Sequence, residues 1–284
     1  MPFLRPATRA ALASFPLLAA MPALAQQAAD SPPDMTRDTV TLGVGAAVVP
    51  SYDGSDKNVV TAAPLVRGRV SGINFVVLGS RAWADVIADN NGPGWDFQAG
   101  PVVNVNLNRT SRIDDRQVAA LGKIDTAVEA GGFVGIGKQG LITSDYDKLT
   151  VSFSYLHDVG TVHKSYVMSP SVSYGTPLSR KAYVLLNASG NYMGNGYAQT
   201  YFGVTPGGSA RSGLPVYYAR KGWKDWTLGA MGTVALTGDL TQGLSMVGGV
   251  AYRRMLDDAA DSPVVRIAGS RDQWYGALGL AYTF

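Results

Sequence analysis

The chain has no cysteine, only two histidines, and charged side chains at just 16% of its 284 positions. Without cysteine there is no disulfide framework and no thiolate metal site. Beyond its N-terminal stretch it also lacks any apolar run of about 18 residues, so no transmembrane helix is offered there. A mean hydropathy of +0.05 is likewise too polar for a helical membrane protein. Neither HExxH nor a glycine-rich phosphate loop occurs. Asp53, Asp56 and the acids of residues 256–272 do not have EF-hand spacing and read as solvated loop carboxylates. No cofactor and no metal is implied.

What is present begins with an export signal. Arg5 and Arg9 precede an Ala/Leu-rich core over residues 10–20, and Ala23-Leu24-Ala25 has the small-x-small form of a signal-peptidase site. This predicts a signal peptide over residues 1–25 rather than an anchor, because the apolar run is short and holds Pro16 and Pro22. Removing Arg5 and Arg9 takes the formal charge from +3 to +1. The basic balance therefore belongs largely to the signal, and no nucleic-acid partner follows from it. Residues 26–38 are polar and proline-bearing and read as a flexible periplasmic leader.

From Thr39 onward the pattern has a period of two. The last twelve residues put Trp274, Gly276, Leu278, Leu280, Tyr282 and Phe284 on one face, with Gln273, Tyr275, Ala277, Gly279, Ala281 and Thr283 on the other. Trp95, Phe97, Ala99, Pro101, Val103 and Val105 alternate with Asp96, Gln98, Gly100, Val102 and Asn104. Similar dyads run through residues 149–155, 165–174 and 244–252. Apolar-out, polar-in dyads in series, with aromatics at strand ends, predict an all-β transmembrane antiparallel up-and-down barrel. A β-sandwich would give the dyads but not the terminal aromatics. With no spanning helix, a closed barrel is the other form that satisfies the backbone in lipid.

Short connections fall near residues 69–72, 90–94, 138–148, 177–181 and 238–243, and longer ones at 50–58, 108–123, 158–164, 192–222 and 256–272. Placing the short turns in the periplasm requires a further reversal near residues 79–81. That gives twelve strands, two of them short, with ten strands as the alternative. The barrel takes up residues 39–284, with no second domain.

Parity puts Arg67, Arg69, Asp96, Asp125 and Glu129 on the inward face, where charges must pair or be hydrated. They form either a salt-bridged plug or the lining of a narrow pore. The long connection at 192–222 contains Tyr201, Phe202, Arg211, Pro215 and Tyr217. It either folds inward, with Arg211 meeting Asp125 or Glu129, or projects outward as a binding surface; the turn at Ser212-Gly213-Leu214-Pro215 favours the inward fold. His163 and Ser165 have the His-x-Ser spacing of a deacylase and would share a strand face, about 7 Å apart. That is too far for direct contact, so His163 reads as a loop histidine beside a turn. His157 shares the face of Tyr155 and Phe153. Tyr282 and Phe284 have the form of an assembly signal for the barrel-assembly machinery.

The segments Tyr201-Phe202-Gly203-Val204-Thr205-Pro206, Ser209-Ala210-Arg211-Ser212-Gly213-Leu214-Pro215 and Asp257-Asp258-Ala259-Ala260-Asp261-Ser262-Pro263-Val264-Val265 are distinctive together. With Gly122-Lys123-Ile124-Asp125-Thr126-Ala127-Val128-Glu129 and Tyr52-Asp53-Gly54-Ser55-Asp56, they resemble the MipA/OmpV family of MltA-interacting outer-membrane proteins. The resemblance implies an outer-membrane barrel in a Gram-negative envelope. It also implies a non-enzymatic scaffold joining a lytic transglycosylase to a bifunctional penicillin-binding protein. The family supplies no catalytic residues to carry over. A small porin-like channel for polar solutes is the alternative, and a hydrolase using His163 or Ser165 is a third reading.

Overall fold

The computed structural model describes residues 38–88, 94–111 and 113–284. The expected signal peptide and, apart from Asp38, the expected leader lie outside the described residues.

Twelve antiparallel strands close into a barrel, in the order β1-β12-β11-β10-β9-β8-β7-β6-β5-β4-β3-β2. They are β1 (Thr39–Pro50), β2 (Asn58–Val70), β3 (Ile73–Leu78), β4 (Arg81–Asp85), β5 (Trp95–Asn106) and β6 (Ala127–Gln139). The rest are β7 (Lys148–Asp158), β8 (Tyr166–Ser179), β9 (Ala182–Met193), β10 (Gly222–Ala235), β11 (Gly243–Met255) and β12 (Asp272–Thr283). The reversal near residues 79–81 is present, and it leaves β3 and β4 only 6 and 5 residues long. Ten strands are therefore excluded.

Closure is made by β12 lying against β1, with Leu42 opposite Tyr282 and Val44 opposite Leu280, and the Phe284 N–H donates to the Val40 carbonyl at 2.9 Å. At this seam Gly45 faces Gly279. A Cβ on Gly45 would lie 2.4 Å from the Leu278 carbonyl oxygen and 2.7 Å from the Gly279 Cα, so the two strands meet this closely only because both residues are glycine. Gly131 in β6 plays the same part against β7, where a Cβ would meet the Tyr155 carbonyl oxygen.

The dyads sort as the period of two requires. Trp274, Leu278, Leu280, Tyr282 and Phe284 face outward and are exposed, whereas Gln273, Ala281 and Thr283 face inward and are buried. An apolar outer surface of this kind is stable in hydrocarbon and unstable in water.

The two ends differ. Phe284 shares its end with the short turns, and one of these, between β6 and β7, is ordered by Asp147. The Asp147 carboxylate accepts the N–H groups of Leu141 at 2.7 Å, Ile142 at 2.9 Å, Ser144 at 3.3 Å and also Thr143, together with the Tyr174 hydroxyl at 2.9 Å. Burial pushes this carboxyl up, but the converging donors outweigh it and hold it well below the usual carboxylate range.

The opposite end carries the long connections, and these contain all the helices among the described residues. They are α1 (Arg116–Leu121), α2 (Asn195–Phe202), α3 (Pro206–Ser212), α4 (Asp257–Asp261) and α5 (Pro263–Arg266). Local sequence explains the shorter ones. Asp115 caps α1 by accepting from Gln117 and Val118 N–H. Thr205 caps α3, with Pro206 at its first position and Gly213 in the left-handed conformation at φ 73° to end it.

Candidate functional site

The largest buried side chains lie in the mouth between these connections. Tyr201 and Phe202 on α2 pack with Met193, Met255, Ala259, Ala260 and Val265. Beside them Val118, Val204, Leu214 and Val264 pack around Tyr52. Polar contacts lock the layers: Ser262 Oγ donates to the Phe202 carbonyl at 2.6 Å, the Tyr52 hydroxyl donates to the Ala268 carbonyl, and Val204 bridges Tyr217 in a two-residue antiparallel pairing. The connection at 192–222 thus folds into the barrel mouth and is held there by the other long connections.

Beneath the apolar layer lies an ion cluster. Lys224 Nζ is 2.9 Å from Asp53 Oδ2 and 3.4 Å from Asp225 Oδ2. Arg253 reaches Asp53 Oδ1 at 3.2 Å and Asp225 Oδ1 at 3.7 Å, and its guanidinium lies over the Tyr275 ring. Two acids face two bases, so the cluster is neutral as a whole. Asn191 extends it by donating to Asp225 at 2.7 Å, and Ser169 in turn donates to Asn191 at 2.7 Å. Asp53 comes from the connection between β1 and β2, while its partners come from β10 and β11. Burial raises the Asp53 carboxyl, but Lys224 and Arg253 more than offset this and leave it below its ordinary value.

A second cluster sits on the other wall. Glu129 accepts from Asn104 and Asn106, each at 2.9 Å, and meets His163 Nε2 at 3.2 Å. Tyr197 on α2 joins the two clusters. Its hydroxyl accepts from Lys224 Nζ and from Asn106 Nδ2, both at 3.4 Å. Its ring makes an edge contact with His163 at 5.1 Å and packs against Tyr201 at 4.6 Å. Burial pushes the Tyr197 phenol above its ordinary value, so it stays protonated at neutral pH.

The residues singled out from sequence divide as follows. Arg67 and Arg69 lie on the inward face of β2, and Asp96 lies inward on β5, paired with Lys148 at 2.5 Å. Glu129 is inward and buried. Asp125 is not in the lumen: β6 begins at Ala127, so Asp125 sits before the strand and is exposed. Arg211 meets neither Asp125 nor Glu129; its Nε donates to the Ala120 carbonyl of α1 at 3.2 Å. Tyr201 and Phe202 form the plug's core, and the Tyr217 hydroxyl donates to the Asp258 carbonyl. Pro215 follows the buried Leu214. Tyr282 on β12 and Phe284, just past its end, are exposed, with their rings 4.8 Å apart.

His163 and Ser165 do not share a strand face, because both precede β8. His163 is buried on Glu129 instead of standing at a solvated turn. His157 faces outward with Tyr155. Among the described residues no group of three or more His, Cys, Asp or Glu side chains is placed to hold a metal ion.

Sequence reasoning missed Lys224, Asp225, Arg253 and Asn191. A register shift between Trp223 and Asp225 turns Lys224 and Asp225 inward together, which parity along a regular strand cannot anticipate.

No curated protein matches the sequence. Among solved structures, Acinetobacter baumannii OccAB3 is 10% identical with a TM-score of 0.37, over 84% of this chain and 59% of that one. The CymD monoaromatic hydrocarbon channel is 10% identical with a TM-score of 0.38, over 87% and 89%. OmpT of Vibrio cholerae is 6% identical with a TM-score of 0.37, over 87% and 97%. Likeness at that level says nothing of function. The sequence model of the family described as MltA-interacting protein MipA matches residues 42–284, and the chain belongs to that family, as an outer-membrane β-barrel.

Proposed function

We propose that the protein is a non-enzymatic scaffold of the outer membrane, sealed toward the outside and offering its periplasmic turns to murein enzymes. The partners of this reading are a lytic transglycosylase and a bifunctional penicillin-binding protein, and the family's description as MltA-interacting supports the first. The observation that carries it is the turn between β6 and β7. Asp147 fixes the backbone there, and the turn presents Leu141, Ile142 and Tyr146 exposed, with Ile142 at 64%. A rigid turn with uncovered apolar side chains suits protein contact, because little order is lost on binding. The test replaces Leu141 and Ile142 with aspartate and measures capture of the transglycosylase by the refolded chain. Lost capture with unchanged heat-shifted mobility supports the reading, and undiminished capture contradicts it.

The second reading is a channel for polar solutes. It is favoured by the hydroxyl-rich inner wall, where Ser152, Ser154, Ser169, Ser171 and Ser173 lie at facing register positions of β7 and β8, and by the inward, exposed Arg67. Planar-bilayer conductance separates the two. A hydrolase is disfavoured by the engagement of His163 Nε2 with Glu129 rather than with a serine hydroxyl.

A further inference from the structure

The barrel wall is incomplete on one side. The β3–β4 hairpin pairs β2 only from Leu65 to Val70, with one more bond from Gly79 N–H to the Pro64 carbonyl. Residues 58–63 of β2 therefore pair with β1 alone. Because alternate residues of a strand use opposite edges, Asn58, Val60 and Ala62 direct their N–H and C=O groups to the same side as Pro64. No described residue pairs with that side. Pro64 itself has no N–H to leave unpaired. The next strand beyond the hairpin is β5, and Asn108, just past its end, accepts from the Asp53 N–H at 3.0 Å, so the connection leaving β5 bounds the notch from above. Lys57 closes the top of this notch, with Nζ 3.2 Å from the Asp114 carbonyl and 4.0 Å from the Asp115 carboxylate.

The notch lies at membrane depth. Val60 stands opposite Val48, which stands opposite Gly276, two residues from the outward Trp274. Pro64 stands opposite Val44, which faces Leu280. An open strand edge is not found facing lipid tails; unpaired backbone at this depth is tolerated where it borders a cavity. Behind the edge the wall is made of small residues. Gly249, Ala277, Ala47 and Thr61 form one register row across β11, β12, β1 and β2. Ala277 and Thr61 point inward and are nonetheless exposed, so there is open space in front of them. Outward of the same edge, Val60 is 65% exposed.

We infer that this notch is a lateral port, through which a small uncharged amphipathic molecule passes between the outer leaflet and the lumen beneath the plug. The backbone groups of Val60 and Ala62 serve the solute's polar end, and the row of Thr61, Ala47 and Ala277 gives room for its apolar part. This goes beyond the scaffold reading and does not depend on it.

The test uses the full chain refolded in vesicles, with decanol carrying a diazirine partitioned into the bilayer and photolysed. Modification is expected at Thr61, Ala47 and Ala277 as well as at the outward Val44 and Leu280. Thr61→Trp fills the space directly behind the edge and should remove modification of Ala47 and Ala277 while leaving Val44 and Leu280 labelled. Heat-shifted gel mobility verifies that each protein is folded. Labelling confined to outward residues overturns the port. Persistence of labelling at Ala277 in the folded Thr61→Trp variant also overturns it, because entry is then axial. A dimer trapped through Val60→Cys overturns it as well, since a strand of a second copy then closes the edge.

Discussion

Asp53 and Lys224 are 171 residues apart in sequence, yet their side chains meet at 2.9 Å. This pair ties the connection between β1 and β2 to β10, and with Arg253 and Asp225 it forms the neutral floor of the plug.

Lys224→Met leaves Asp53 and Asp225 facing Arg253 alone in a largely buried site. Breaking one partner of such a pair costs about 3–5 kcal/mol. The temperature of the heat-induced mobility shift is expected to fall. Adding Asp53→Asn should recover part of the loss, since the double variant restores charge balance. A double variant as unstable as the sum of the two singles would contradict the coupling.

Tyr197 contributes in two separable ways. Tyr197→Phe removes only the hydroxyl that accepts from Lys224 and Asn106, a loss of about 1 kcal/mol. Phe202→Ala empties fully buried volume in the same helix and should cost about 3–5 kcal/mol. Protease sensitivity of the connection at 192–222 is the readout, and the alanine variant is expected to be cut much faster than the phenylalanine one. Equal rates would mean that α2 is not packed in the mouth.

The Asp147 carboxyl is held below its ordinary value of 3.8 by the turn's N–H groups. A depressed folded value means the stabilisation is complete above the ordinary value and is lost as pH falls through the folded one. Hydrogen exchange of the Leu141, Ile142 and Thr143 amides should therefore stay slow through neutral and mildly acidic pH. Asp147→Ala should speed it throughout that range. Fast exchange in the parent chain at pH 7 would contradict the turn's assignment as a rigid element.

Deleting Phe284 removes the N–H that donates to Val40 and the ring beside Tyr282. The folded fraction on unheated gels is expected to drop, because β12 must pair with β1 for the barrel to close. Unchanged folding would mean that the terminal aromatic is dispensable for assembly.

The wall of this barrel was legible because alternation is a local property. The faces of β12, β5 and β7, the short turns, and even the reversal that leaves β3 and β4 short follow from period, turn residues and parity of direction. The interior was legible only where strands are regular. Arg67, Asp96 and Glu129 are inward as parity requires, but Asp125 falls outside β6, where parity has no meaning. The shift at Trp223 hid Lys224 and Asp225. His163 looked like a solvated turn residue because Glu129 and Tyr197, its partners, lie 34 residues away in either direction. The inward fold of the connection at 192–222 was suggested by the turn at Ser212-Gly213-Leu214-Pro215, where Gly213 ends α3, whereas the α1 carbonyl that receives Arg211 could not be read from spacing.

Single-channel recording in planar bilayers tests the sealed mouth most directly. The intact chain is compared with one lacking residues 201–215, which span the end of α2, all of α3 and the buried Leu214. Silence from the intact barrel and stepwise ohmic conductance from the shortened one are expected. Large steady conductance from the intact chain, unchanged by the deletion, would contradict the plug and favour an open channel.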